Sequence, residues 1–77
     1  MDVLVVRGPI FHSRGDEDAF FWWLKRIRLV SGVSNRGADI HIQLRPGKVS
    51  KDEVRELRSL FMRYALDSTD LGELERR

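Results

Sequence analysis

The stretch "ADIHIQLRPGKVSKDEVRELRSLFMRY", residues 38–64, changes its hydrophobic spacing once, and that change constrains the fold most. Ile40, Ile42 and Leu44 alternate with Asp39, His41, Gln43 and Arg45, the pattern of a strand with one face in a core. Pro46-Gly47 ends the strand. Ser50 and Glu53 then stand at capping-box spacing, and Val49 and Val54 flank the cap as a hydrophobic staple. Val54, Leu57, Leu60, Phe61 and Tyr64 follow at helical spacing.

The remaining elements assemble around that pair. "DVLVVRGPIF" reads as a first strand over residues 2–7, stopped by Pro9, with Ile10 and Phe11 as a half-buried extended connection. "HSRGDEDAFFWWLKRIRLVSG" predicts a helix with Asp16 as N-cap, acids at 16–18 on its positive end, and Gly32 as a left-handed stop. "VSNRGADIHIQL" predicts a hairpin. Its second strand begins at Val33-Ser34, its turn centres on Asn35-Arg36-Gly37, and the third strand covers residues 38–44. "DSTDLGELERR" allows a short last helix from about Thr69, pinned by Leu71 and Leu74 and weakened by Gly72.

The fold class is therefore α+β, with the order βαββα. Hairpin strands pair, and the right-handed crossover rule sets strand one beside strand three. The expected architecture is a split βαβ, half of a ferredoxin-like fold. It has a three-stranded antiparallel sheet, two helices on one face and a short C-terminal helix. The other face is open or covered by a partner.

At 77 residues the chain is expected to form a single domain, 1–77, with one modest core. It has no cysteine, which excludes a disulfide framework, a Cys-based zinc site and a thiol nucleophile. No apolar run approaches the ~20 residues of a membrane span, and "VLVV" lacks the flanks of a signal peptide. A cytoplasmic protein is the expectation. The net charge of +2 is unevenly spread. Residues 25–48 carry Lys25, Arg26, Arg28, Arg36, Arg45 and Lys48 against Asp39 alone, whereas the flanking segments are slightly acidic.

The first helix contains four consecutive aromatic residues, Phe20, Phe21, Trp22 and Trp23. Unrolled at helical spacing, Phe20, Trp23, Leu24, Ile27 and Val30 form the core stripe, with Ala19 at its margin and Phe21 on a flank. Trp22 and Leu29 fall on the back with Arg26 between them. One reading has the chain's own C-terminal segment roof this back. The other makes Trp22, Arg26 and Leu29 a partner-binding patch, because Trp and Arg are enriched at binding hot spots. The open sheet face should show Asp39, His41, Gln43 and Arg45. Strand one adds either Val3, Val5 and Arg7 or Leu4 and Val6, so that face is not wholly wet. Either a second copy pairing edge to edge or face to face would cover it, or the first connection or the C-terminus folding under.

Catalytic chemistry finds little support. His12 reads as a loop residue and His41 as a surface residue on a strand. Neither a nucleophile–base pair, a metal-ligand cluster nor a phosphate-cradling glycine loop is present, so no cofactor and no metal are expected. Nucleic acid is the alternative partner. Its contacts would be Lys25, Arg28, Arg36 and Lys48. Against it, the open face of strand three offers no aromatic for base stacking.

"DAFFWWLKRI" and "LRSLFMRYALDSTDLGEL" together resemble a set of small uncharacterised bacterial proteins with an F-F-x-W-L helix and an L-x-x-L-F-x-R-Y-x-[IL]-D-x-x-x-L helix. The matching positions are Phe20, Phe21, Trp23, Leu24, Leu57, Leu60, Phe61, Arg63, Tyr64, Leu66, Asp67 and Leu71. The resemblance implies a shared fold, no assigned activity, and a structural pair between Arg63 and Asp67. The expected function is a small cytosolic protein-interaction domain without catalytic activity. Its partner is another protein or a second copy of itself, and an immunity- or antitoxin-type binder is one concrete version.

Overall fold

The alternating segment becomes the central strand. In the computed structural model, which describes residues 2–76, the order is β1 (Val3–Arg7), α1 (Arg14–Arg26), β2 (Val30–Arg36), β3 (Asp39–Leu44), α2 (Lys51–Arg63) and α3 (Leu71–Leu74). The sheet order is β1-β3-β2, and both pairings are antiparallel. This is the α+β arrangement expected from the sequence, with the short C-terminal helix present. No helix among the described residues is long and apolar enough to cross a membrane.

Every second residue of β3 is buried, as its alternation requires: Ile40, Ile42 and Leu44. The register sets Leu4 against Ile42 and Val6 against Ile40, so β1 turns those two residues inward as well. Phe20 and Leu24 of α1 and Leu57, Leu60 and Phe61 of α2 close over this face, and Leu71 and Leu74 of α3 complete the core. At the start of α2 the capping box forms: Glu53 N–H donates to Ser50 Oγ and Ser50 N–H to Glu53 Oε1, both at 3.1 Å.

An aromatic cluster locks α1 to the end of α2. Phe20 meets Phe21 and Tyr64 edge-on at 5.1 and 4.9 Å, and Phe11 lies 5.5 Å from Phe20 and 6.2 Å from Tyr64. Edge-to-face pairs of this kind add ~0.5–1.5 kcal/mol beyond their buried area. Burial, and then the neighbouring Asp16 carboxylate, push the Tyr64 phenol above its ordinary value, opposed by Arg63. Phe11 is half-buried as expected, but Ile10 is 84% exposed.

Helix α1 is shorter than its sequence pattern implies. It ends at Arg26, and Ile27 already has an extended backbone. Val30, expected on the helix stripe, opens β2 opposite Leu44. Gly32 lies inside β2 opposite Gln43, beyond a bulge at residue 31, and is not a helix stop. A helix running to Gly32 would take away the strand residue paired with Gln43 and the Leu29 carbonyl that accepts Arg45 N–H, so the sheet would lose its third strand at that end. The N-cap of α1 is Ser13, not Asp16: Asp16 N–H donates to Ser13 Oγ at 3.1 Å, while Asp16 Oδ2 accepts from His12 N–H at 3.1 Å. The hairpin turn is Gly37-Ala38, between the paired residues Arg36 and Asp39. Gly37 has φ +64°, which suits a glycine at the first central position of a two-residue hairpin loop.

Helix α2 ends in a Schellman motif. Leu66 N–H reaches Phe61 C=O at 2.8 Å and Ala65 N–H reaches Met62 C=O at 3.3 Å, with Ala65 left-handed at φ +55°. That reversal breaks the helical spacing between Arg63 and Asp67, so the pair implied by the resemblance does not form. Asp67 instead accepts from Thr69 N–H at 2.9 Å and Thr69 Oγ1–H at 2.6 Å.

Candidate interaction surface

The back of α1 is where the sequence reading left its sharpest alternative, and the structure divides it. Trp22 is 63% exposed and is not roofed by the C-terminal segment, because α3 packs its Leu71 and Leu74 into the core beside α2. Arg26, one turn on, lies over the Trp22 ring with its guanidinium carbon 4.6 Å from the centroid. A cation–π contact at such an exposed site is worth ~0.5–1 kcal/mol and restrains both side chains. Leu29 is not part of this patch. It is 3% exposed, lies beyond the helix and belongs to the core. Its carbonyl accepts Arg45 N–H at 2.8 Å. The expected trio is therefore a pair.

The pair borders a groove of about 440 Å³ between the end of α1 and the start of α2. Trp22, Trp23, Arg26, Ile27 and Arg28 line one wall; Asp52, Glu53 and Glu56 line the other. Trp23 bridges the walls, its Nε1–H donating to Glu56 Oε1 at 3.2 Å. It is half-buried against the core rather than fully inside. The walls carry opposite charge for a local reason. Basic residues stabilise the last turn of a helix and acidic residues the first, and here one helix end adjoins the other's beginning. Asp52, Glu53 and Glu56, which the sequence interleaves with arginines on a solvent-facing helix, are gathered here into one acidic wall.

The open face of the sheet shows three rows. Arg7, Asp39 and Arg36 form one, Val5, His41 and Ser34 the next, and Val3, Gln43 and Gly32 the third. Thus Asp39, His41 and Gln43 stand where expected, and strand one contributes Val3, Val5 and Arg7. Arg45 lies one residue past β3 and turns its Nε–H to the Arg28 carbonyl at 2.9 Å. The Ser34 hydroxyl is buried and finds no hydrogen-bond partner among the described residues.

Arg36 stands apart from Arg28: it closes β2, whose first residue Val30 follows Arg28 by two, and the length of the strand alone is roughly 20 Å at the usual rise. Lys25 is in the last turn of α1, and Lys48 is in the loop before α2. Among the described residues no group of three His, Asp or Glu side chains gathers that could hold a metal ion. Compared with known proteins, the chain matches no family model, no curated protein and no solved structure, so its function is argued from its own geometry.

Proposed function

We propose that this chain is a small cytoplasmic protein-interaction domain without catalytic activity, and that Trp22 with Arg26 is its contact with a partner protein. The observation that carries the reading is a large aromatic ring that is 63% exposed and held in place by a stacked arginine at the rim of a groove. A ring already restrained loses little side-chain entropy on contact, and Trp and Arg are the anchors that binding surfaces favour. The acidic wall of Asp52, Glu53 and Glu56 selects against a phosphate backbone entering the same groove. It suits a polypeptide that carries a basic group opposite it. An immunity- or antitoxin-type role is the version in which that polypeptide is a protein to be neutralised.

The test compares the wild type with Trp22→Ala as bait for proteins of the source cell. The variant should unfold at nearly the wild-type temperature and lose the proteins that the wild type retains. Retention of the same proteins by a folded Trp22→Ala variant would remove the reading. A parallel titration with an oligonucleotide at ~50 mM salt separates the nucleic-acid alternative, whose charge-driven binding weakens steeply as salt rises.

A further inference from the structure

Strand β1 is an edge. Among the described residues only β3 pairs with it. Two hydrogen bonds set the phase of its ladder: Leu44 N–H to Asp2 C=O and Gly8 N–H to Ala38 C=O, each 2.8 Å. The even-numbered residues therefore turn their main chain toward β3. The N–H and C=O groups of Val3, Val5 and Arg7 point away from the sheet. Among the described residues, no hydrogen bond reaches them.

The two edges of the sheet are not alike. β2 carries a bulge at residue 31, Gly32, and a polar run from Ser34 to Arg36, all devices that discourage further pairing. β1 has none of these between Val3 and Val6. On its wet face Val3 and Val5 are 39% and 45% exposed, although β-branched residues on a solvated face usually have an apolar neighbour. Asp2 lies before the strand and Arg7 ends it.

We propose that β1 pairs antiparallel with β1 of a second copy about a two-fold axis at Val5, which joins two three-stranded sheets into one. The register follows from the phase. Only Val3, Val5 and Arg7 offer outward main-chain groups, so Val5 faces the second copy's Val5, and Val3 faces the second copy's Arg7. This parity keeps Leu4 and Val6 of both copies on the helix-covered side. Antiparallel pairing also keeps the two Arg7 side chains at opposite ends of the joined strands, whereas parallel in-register pairing would set them side by side. Val5 gains an apolar neighbour across the axis, and the Arg7 stem of one copy covers Val3 of the other. The groove at Trp22 is left free, because α1 packs over β2, the opposite edge.

Analytical ultracentrifugation of the wild type and Val5→Pro tests this. The Val5 N–H is not used in the ladder with β3, so proline at this position removes an edge donor and spares the fold. The wild type should dimerise as concentration rises, with amides of Val3, Val5 and Arg7 gaining protection from hydrogen exchange in step. Val5→Pro should be at least tenfold weaker, and Trp22→Ala unchanged. A wild type that is monomeric at about 1 mM overturns the proposal. So does a dimer of undiminished affinity in Val5→Pro, or protection of those amides in the monomer, which would show the edge covered by the chain itself. Should Val5→Pro fail to fold, Val5→Lys decides by the same sedimentation, because it sets two ammonium groups opposite each other across the axis. Loss of the dimer supports the pairing and retention overturns it.

Discussion

Trp22 and Leu29 fall on the same side of a helix drawn through residues 16–31, yet they have opposite fates. The physical cause is that the helix stops between them, at Arg26, and the chain turns Leu29 into the core. Leu29→Ala should therefore cost ~2–5 kcal/mol, the range for emptying a buried leucine site, whereas Trp22→Ala should cost no more than the ~1 kcal/mol of an exposed stacked pair. Chemical denaturation of the two variants checks this. A Trp22→Ala cost equal to that of Leu29→Ala would mean the ring is structural. Asp67 gives a second test at this scale. The Thr69 hydroxyl, and then the Thr69 amide, hold its carboxyl below the ordinary 3.8. A depressed carboxylate adds stability that is present above the unfolded value and lost as pH falls through the folded value. Stability measured from neutral pH into the acid range should thus decline less steeply for Asp67→Ala than for the wild type below about pH 4, with the two curves parallel above it.

At the scale of elements, α2 was legible almost to the residue because its signals are local. A capping box, a staple and an apolar stripe act within one stretch of chain and need no tertiary partner to be read. Its C-terminal end was less legible, because a Schellman motif normally announces itself with glycine and here Ala65 occupies the left-handed position at φ +55°. That residue carries a steric cost of about 1 kcal/mol. Ala65→Gly should recover part of it, raising stability by several tenths to ~1 kcal/mol, as a thermal melt would show. A destabilised variant would mean that the lost Cβ or the freer unfolded chain matters more. The start of α1 also held a local signal. Ser13 and Asp16 stand three apart, as Ser50 and Glu53 do, and the same spacing identifies Ser13 rather than Asp16 as the cap.

For the whole molecule, the short α3 decides how the core is closed. Leu71 and Leu74 are among its fully buried side chains, although the helix that carries them has four residues and no side-chain cap. Such a helix has no stability of its own, so it is held by its packing against α2 and by the ion pair between Arg58 and Glu75. Leu71→Ala should lower stability by ~2–5 kcal/mol in a single cooperative transition. A second, earlier transition would show that α3 melts independently of the sheet.

What the sequence determined by itself was the set of elements and their order, because alternation, helical spacing and capping are interactions between near neighbours. From that order the connection rules led to β1-β3-β2 with helices on one face. The boundary between α1 and β2 was decided elsewhere. Residues 27–32 read equally well as the end of an amphipathic helix, and it is pairing with the distant Gln43 and Arg45 that turns them into the start of β2. The candidate site shows the same division. The four aromatic residues announced that one ring would face outward, since a helix buries only one side. That Trp22 stays uncovered, that Arg26 stacks on it, and that an acidic wall faces the pair all depend on where α3 and the start of α2 come to rest. Those positions are set by packing between segments far apart in the chain, which no local pattern encodes.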